Sequence, residues 1–264
     1  MKIGFIGCGN MASAIIGGLI KNEIFKPEEI IAADSYEESL KKAKEKFGIF
    51  VTGDNTECVK LAEVIVLSVK PQYYKTVIDE IKDFVSVDKL IITIAPGKTL
   101  SWLEECFGKR VKIIRTMPNT PALVGEGMTG VCKNEYVTDK DMEYALKILS
   151  SFGKAEIVNE SVMDAVVAVS GSSPAYVFIL IEAMADGAVS AGMARAAAYK
   201  FAAQAVLGSA KMVLETGKHP GELKDMVCSP AGTTIGAVKV LEEKGFRGAV
   251  IDAMEKCVDI CKGM

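Results

Sequence analysis

Short, nearly uninterrupted hydrophobic runs alternate with segments that repeat their hydrophobic positions every three or four residues in the first part of the chain. The runs are typical of strands buried on both faces of a parallel sheet, and the repeats are typical of amphipathic helices. The predicted strands are Lys2–Ile6, Ile30–Ala33, Ile49–Val51, Val64–Leu67, Leu90–Ile94 and Lys112–Met117. The predicted helices are Met11–Lys21, Tyr36–Phe47, Tyr73–Phe84 and Leu100–Phe107. This alternation predicts an α/β fold with a doubly wound sheet.

The pattern changes near Glu160, beyond which only helical repeats are found. These repeats predict the helices Pro174–Ala191, Arg195–Thr216, Thr233–Glu243 and Phe246–Lys262. We therefore predict an α/β domain over residues 1–160 and an all-helical domain over residues 161–264.

Two of the predicted helices are hydrophobic on nearly all sides. The segment Tyr176–Ala191 carries only Glu182 and Asp186, and Phe201–Ala210 carries no charge. A helix that is hydrophobic all round must be covered on every side, and a small helical domain cannot cover two such helices alone. We therefore predict a homo-oligomer in which a second copy covers them.

Composition and charge exclude several classes of protein. Half of the 264 residues are hydrophobic and a quarter are charged, which argues against disorder. The 31 basic and 34 acidic residues give a net charge of −3 without a long basic block, so we predict no nucleic-acid partner. The longest uncharged segment, from Ala165 to Ile181, is interrupted by Gly171 and Pro174, and no signal peptide is recognisable. We predict a cytoplasmic protein that does not contact a membrane.

The cysteines and the single histidine do not predict a metal site. Seven cysteines are scattered without paired spacing, which argues against a disulfide framework. Cys257 and Cys261 lie four residues apart, but a zinc site needs further ligands and the only histidine is His219. His219 lies in a Gly-Lys-His-Pro-Gly segment, which we interpret as a surface turn rather than the position of a general base.

A glycine motif follows the first predicted strand and opens the first helix. Gly7–Ala12 reads G-x-G-x-x-A, in which Gly7 permits a tight turn and Gly9 lets the backbone approach a pyrophosphate. Ala12 permits close packing of helix on strand, and the helix N-terminus offers N–H groups to phosphates. The motif predicts that the first domain is Rossmann-like and binds a dinucleotide.

Asp34 ends the second predicted strand, where a Rossmann domain contacts the adenosine ribose. A carboxylate at this position hydrogen-bonds the ribose hydroxyls and repels a 2′-phosphate, which favours NADH. The alternative is that Asp34 and Ser35 only cap the following helix. The preference between NADH and NADPH therefore stays open.

Further loops follow predicted elements where ligands bind in this architecture. Ser68–Pro71, Ala95–Gly97 and Met117–Pro121 follow strands, and together they indicate a surface for the nicotinamide, although each alone is compatible with a plain proline turn. In the helical part, Ser170–Tyr176 and Ser229–Thr234 precede helices. The second of these is suited to a carboxylate, and a plain helix cap is the alternative for both.

Together these motifs resemble the pyrroline-5-carboxylate reductase family over nearly the whole chain. The stretches that carry the resemblance are Gly4–Ala12, Ser68–Gln72, Thr116–Gly127, Ser170–Phe178, His219–Ile235 and Glu242–Val250. The resemblance implies a Rossmann domain and a helical domain that interlocks two subunits into a homodimer, which often assembles further, commonly into a decamer. It implies reduction of (S)-1-pyrroline-5-carboxylate to L-proline, the last step of proline biosynthesis, with NADPH or NADH and no metal.

The resemblance also implies site residues. Its cofactor contacts fall on Gly7, Gly9, Asn10, Met11, Ala12, Asp34, Asn55, Ser68, Val69, Lys70, Pro71, Ala95, Pro96 and Gly97. The substrate carboxylate would meet backbone N–H groups at Gly232, Thr233 and Thr234, and Glu160 falls close to a family position at the substrate pocket. Thr234 matches a hydroxyl near the ring nitrogen and is the candidate catalytic residue.

Two other functions are considered beside this one. A related Rossmann reductase acting on a hydroxy acid or another cyclic imine typically has a lysine in its catalytic helix, whereas no lysine follows Ser173 before Lys200. A non-catalytic, dinucleotide-sensing regulator would not need the carboxylate site that Ser229–Thr234 predicts. Both alternatives are therefore disfavoured.

Overall fold

The computed structural model describes residues 2–263, which form two compact units. The first unit contains the chain up to Ser172 together with the segment that begins at Cys257, and the second unit is Ser173–Lys256. One eight-stranded sheet lies in the first unit. Its strands are β1 Ile3–Ile6, β2 Ile30–Ala33, β3 Phe50–Thr52, β4 Val64–Leu67, β5 Leu90–Thr93, β6 Lys112–Met117, β7 Gly127–Lys133 and β8 Gly153–Ile157.

The strand order explains where a ligand can bind. The order is β3-β2-β1-β4-β5-β6-β7-β8, with β1 to β6 parallel and β7 antiparallel to β6. The chain moves outward on one side of β1 and then returns to β4 on its other side, so the order reverses between these two strands. Loops that leave the carboxyl ends of β1 and β4 on opposite faces open a crevice there, which is where dinucleotides bind in such sheets.

Helices cover both faces of this sheet. They are α1 Asn10–Lys21, α2 Glu37–Phe47, α3 Asn55–Leu61, α4 Tyr74–Ile81, α5 Leu100–Phe107, α6 Asp139–Leu149 and α7 Met163–Val166. One buried cluster contains Ile3 and Ile15, from β1 and α1, and the other contains Ile65 and Ile78, from β4 and α4. Alternate residues of β1, β2, β4 and β5 enter opposite clusters, as expected for strands buried on both faces. The predicted α/β fold class with a Rossmann-like domain is confirmed.

Glycine residues explain why β7 was not predicted from the sequence. β7 contains Gly127 and Gly130, and glycine is unfavourable inside strands unless the backbone is closely approached. A Cβ atom on Gly130 would lie 2.8 Å from Cγ1 of Val166, and one on Gly127 would lie 2.8 Å from the carbonyl oxygen of Phe152. These residues are far away in sequence, so the reason for the glycines is visible only in the folded chain.

The second unit is helical. Its helices are α8 Ser173–Ser190, α9 Arg195–Thr216, α10 Pro220–Val227, α11 Thr233–Glu243 and α12 Phe246–Lys262, of which α12 continues into the first unit. The helix α10 was not predicted, because its start was interpreted as a turn. His219 caps α10, and its Nδ1 atom accepts a hydrogen bond of 3.0 Å from the N–H group of Gly221. The histidine therefore ends a turn and begins a helix.

A π-helical turn, Val167–Gly171, joins α7 to α8. It belongs to the run Glu160–Ser190, which by length and composition alone could cross a membrane and is the one such run among residues 2–263. Short π-helical segments are frequent at functional sites.

Candidate active site

The loop after β1 is held against the loop after β4. Gly7 has a φ angle of +100°, and a Cβ atom on it would lie 2.8 Å from the carbonyl carbon of Ser68, so only glycine fits there. The hydroxyl of Ser68 donates to the carbonyl oxygens of Ile6 and Gly7 at 3.0 and 2.8 Å. Ser68 therefore fixes the turn that the glycine motif makes.

The start of α1 fits a pyrophosphate. Gly9 is the N-cap of α1, and a Cβ atom on it would have no neighbour within 4 Å, so its surface is open. The N–H groups of Asn10, Met11 and Ala12 lie in the first turn, where they have no acceptor within the helix. Free N–H groups at an open helix N-terminus are what a pyrophosphate requires. The residues present therefore fit the dinucleotide that the motif predicts.

Asp34 is bound to the glycine loop. Its Oδ2 atom accepts a hydrogen bond of 2.7 Å from the N–H group of Cys8, and its Oδ1 atom accepts one of 2.9 Å from the N–H group of Tyr36. The N-cap of α2 is Tyr36, so Asp34 lies before the helix instead of capping it. Burial, assisted by the charge of Asp34, raises the pKa of the Cys8 thiol to about 12, which keeps this thiol neutral.

Tyr74 supports two of the predicted cofactor loops and was not found from the sequence. Its buried hydroxyl donates to the carbonyl oxygen of Leu67 at 2.6 Å and accepts from the N–H group of Ile94 at 3.3 Å. Burial raises the pKa of Tyr74 above its ordinary value. The hydroxyl joins the ends of β4 and β5, from which the loops Ser68–Pro71 and Ala95–Gly97 leave. A tyrosine at the start of an amphipathic helix gives no sequence signal for this task.

The other predicted cofactor residues lie on loops at the same edge of the sheet. Val69, Lys70 and Pro71 follow β4, and Ala95, Pro96 and Gly97 follow β5. Asn55 is the first residue of α3, after β3, and its Nδ2 atom donates to Oε2 of Glu80 at 2.9 Å. The fold thus brings these positions to one edge, and their contact with the cofactor stays a prediction.

The loop after β6 is fixed by a polar network. The Nδ2 atom of Asn119 donates to the carbonyl oxygen and the hydroxyl of Ser170 at 3.2 and 3.1 Å. Its Oδ1 atom accepts from the N–H group of Met128 at 2.9 Å. Asn119 is nearly buried, so these bonds replace lost water contacts. They join the Met117–Pro121 loop to β7 and to the π-helical turn.

Glu160 is bound to a buried arginine. Its Oε1 atom accepts hydrogen bonds from the N–H group of Leu100 at 2.7 Å and from Nη1 of Arg115 at 2.9 Å. Arg115 lies in β6 and is 2% exposed, and its Nη2 atom lies 3.8 Å from Oδ1 of Asp164. Glu160 thereby neutralises a buried charge and caps α5. A contact with substrate, which the family resemblance implies, stays a prediction.

The loop before α11 suits a carboxylate. Gly232 is the N-cap of α11, and its N–H group donates to the carbonyl oxygen of Ser229 at 3.0 Å. The N–H groups of Thr233 and Thr234 follow in the first turn, where they have no acceptor within the helix. Ala231 has a φ angle of 55°, a left-handed conformation that shapes the loop. The start of α11 has a backbone geometry that suits an anion, and its contact with a substrate stays a prediction.

We expect Gly232→Ala to raise the KM for an anionic substrate about tenfold, the cost of roughly one weakened charge-assisted hydrogen bond. A Cβ atom on Gly232 would lie 2.3 Å from Oγ of Ser229 and 3.1 Å from its carbonyl oxygen, so the loop must shift. Steady-state kinetics would measure KM, and the affinity for the dinucleotide should not change. Adding Ser229→Ala removes the closer contact and should restore part of the lost affinity, whereas an equal KM in both variants would contradict this explanation.

Among residues 2–263, no group of three or more histidine, cysteine, aspartate or glutamate side chains is arranged to hold a metal ion.

A glycine-lined crevice in a doubly wound sheet, followed by a helical unit, is the architecture of Rossmann-type oxidoreductases that use a nicotinamide cofactor. Comparison with known families agrees with this class. The model for the dimerisation domain of pyrroline-5-carboxylate reductase matches residues 160–264, and the model for coenzyme F420-dependent NADP oxidoreductase matches residues 2–97. The chain belongs to the pyrroline-5-carboxylate reductase family.

Relatives extend over the full chain. It is 55% identical to pyrroline-5-carboxylate reductase of Escherichia coli (strain K12), over 98% of this chain and 96% of the relative. The structure of Plasmodium falciparum pyrroline carboxylate reductase with NADP bound has a TM-score of 0.92 and 33% identity, covering 100% and 97% of the two chains. The reductase of Coxiella burnetii has a TM-score of 0.91 and 39% identity, covering 99% and 97%. The predicted family and enzyme class are confirmed.

Proposed function

We propose that this protein reduces (S)-1-pyrroline-5-carboxylate to L-proline with a hydride from NADH or NADPH. The observation that carries the proposal is the N-terminus of α11, where the N–H groups of Thr233 and Thr234 have no acceptor within the helix, in a chain of this family. The first unit contains the predicted dinucleotide site at Gly7–Ala12, and the second unit contains the predicted carboxylate site. One helix N-terminus serves each of the two anionic groups that the reaction must hold.

The N–H groups of Thr233 and Thr234 hold the substrate carboxylate in this proposal. Binding the carboxylate orients the attached ring, so that its C=N carbon is presented in one geometry instead of many. The dinucleotide, when bound, supplies the hydride that this carbon accepts. No charged side chain is needed to hold the carboxylate, because the helix start offers both N–H groups and a positive dipole end.

The Thr234 hydroxyl is proposed to orient the ring nitrogen. When the imine arrives protonated, the nitrogen already carries the proton of the product, and hydride addition alone completes the amine. The protein then needs a hydrogen-bonding group at the nitrogen rather than a strong acid. Thr234 is half-buried in the first turn of α11, and its hydroxyl can both accept from N–H and donate.

The protein forms a homo-oligomer, as the dimerisation family match supports. We propose a homodimer through the C-terminal helices, with further assembly to a decamer, in the cytoplasm. Large hydrophobic side chains of α8 and α9 are exposed in the single chain, among them Ile179 at 67% and Phe201 at 68%. Surfaces of this kind mark protein–protein contacts. A second copy would cover them, which accounts for helices that are hydrophobic on all sides.

The test is nicotinamide oxidation by the purified protein, followed by absorbance. Pyrroline-5-carboxylate is supplied with NADH or with NADPH, and proline is identified as the product. We expect rapid oxidation that requires the substrate. Protein that binds a dinucleotide but oxidises it with neither cofactor would contradict the proposal and would favour the regulator or a different substrate.

A further inference from the structure

Asp34 occupies the position where a Rossmann domain contacts the adenosine ribose. It follows β2 directly, and β2 pairs with β1 in parallel, with Ala33 opposite Ile6. The carboxylate therefore lies beside the glycine loop, to which it is bound through the N–H group of Cys8. A dinucleotide whose pyrophosphate lies on the α1 N-terminus places its ribose hydroxyls at the end of β2.

The Asp34 carboxylate is held in place on both oxygens. One oxygen accepts from Cys8 at 2.7 Å and the other from Tyr36 at 2.9 Å, and both donors are backbone N–H groups. A side chain held in this way cannot turn aside without losing two hydrogen bonds. A carboxylate has about four acceptor positions, so roughly two remain for ribose hydroxyls. The same geometry leaves a fixed negative charge where a 2′-phosphate would lie.

The residues that follow Asp34 in the sequence add negative charge before they add positive charge. The first turn of α2 carries Glu37 and Glu38, and its lysines begin only in the second turn. Lys42 is paired with Glu38 at 2.7 Å, and Lys41 lies 4.0 Å from Glu45. At the end of β3, Asp54 caps α3 and Glu57 lies in the first turn of that helix. No arginine occurs in the sequence between Asp34 and Gly53.

We propose that Asp34 makes this enzyme prefer NADH to NADPH, by accepting hydrogen bonds from the ribose hydroxyls and repelling the 2′-phosphate. The inference rests on the proposed function, since it names the cofactor of that reduction. A related reductase is described with NADP bound. The fold is therefore compatible with NADP. The cofactor preference of this chain is then set by its own residues at the end of β2.

The first measurement is direct binding of NADH and of NADPH to the purified protein by isothermal titration calorimetry, without substrate. We expect NADH to bind about tenfold more tightly or better, because a fixed carboxylate repels a phosphate at hydrogen-bonding distance. The difference should shrink as salt is added, because salt screens the repulsion. Equal binding, or tighter binding of NADPH, would overturn the proposal.

The second measurement uses substitutions of Asp34. Asp34→Asn removes the charge and keeps one of the two accepting oxygens, and Asp34→Ser also makes room for a phosphate. Both should lower the NADH-to-NADPH affinity ratio about tenfold or more, chiefly through tighter NADPH binding. Glu28→Gln removes one exposed carboxylate before the start of β2 and should leave the ratio unchanged. Circular dichroism would check that each variant is folded.

The outcomes separate this proposal from the proposed function. A ratio unchanged in both folded Asp34 variants would show that another residue sets the preference and would overturn the proposal. A ratio that changes as expected would support it even if pyrroline-5-carboxylate were not reduced, because binding is measured without substrate. Reduction of pyrroline-5-carboxylate with equal use of both cofactors would support the function and contradict the role of Asp34.

Discussion

Thr234→Ala is expected to lower kcat for pyrroline-5-carboxylate about a hundredfold while leaving the affinity for the dinucleotide unchanged. The loss of the hydroxyl removes the group proposed to orient the ring nitrogen, and misorientation of a reacting group costs about that factor. The carboxylate site should survive, because it uses backbone N–H groups that alanine also has. Steady-state kinetics gives kcat and KM, and titration calorimetry gives the cofactor affinity.

Thr234→Ser is the matched control for this variant. It keeps the hydroxyl and removes only a methyl group, so most of the rate should return. Serine and threonine have similar helix propensities, so the start of α11 should be preserved. Full activity in the alanine variant would remove Thr234 from the mechanism. A loss of cofactor binding in that variant would point to a general structural defect instead.

Glu160→Ala is expected to destabilise the first unit by about 3 kcal/mol, because it removes the carboxylate that neutralises a buried guanidinium. Arg115 is 2% exposed and cannot regain water without disturbing β6. Its Nε atom is buried and, within residues 2–263, has no hydrogen-bond partner, so the guanidinium depends on its carboxylate contacts. Thermal and urea unfolding would measure the loss of stability. Glu160→Gln keeps an acceptor for the N–H group of Leu100, so its stability should lie between those of the unmodified protein and Glu160→Ala.

Two variants test the reason for this loss. Arg115→Met should cost less than Glu160→Ala, because the Glu160 side chain is 32% exposed and can be hydrated when its partner is removed. Asp164→Asn should cost least, because its oxygen lies 3.8 Å from Nη2 and contributes a weaker contact. An equal loss of stability in all three variants would contradict the asymmetry between the buried arginine and its carboxylates.

A raised KM in folded Glu160→Gln would support the predicted place of Glu160 at the substrate pocket.

The elements that were predicted correctly are those in which local pattern and tertiary burial agree. Ile30–Ala33 and Val64–Leu67 are strands with the predicted bounds, because a continuous hydrophobic run needs burial on both faces. Arg195–Thr216 is a helix with the predicted bounds, since Gly217 ends it in a left-handed conformation. Where glycine serves a close approach, as in β7, the local pattern indicates a loop and the strand is missed.

The residues of the candidate site likewise fall into those that the sequence predicts and those that only the structure shows. The glycine motif and the loop Ser229–Thr234 are predicted from the sequence because their proposed chemistry lies in the backbone of consecutive residues, which a sequence pattern can show. Tyr74, Arg115 and the bond between Asp34 and Cys8 depend on partners from other elements. Their contacts form only when the sheet brings strand ends together, so no local sequence pattern predicts them.

The alternation of strands and helices, the dinucleotide motif and the resemblance to a family of reductases can be read from the sequence, because each depends on neighbouring residues. The two backbone N–H groups that hold Asp34, and the buried arginine that Glu160 neutralises, are visible only in the folded chain. Leu100, Arg115 and Glu160 belong to three different elements, and their contacts offset the cost of removing the arginine from water only when folding brings all three together. These three residues meet only in the folded chain, and their separation in the sequence gives no sign of the contact.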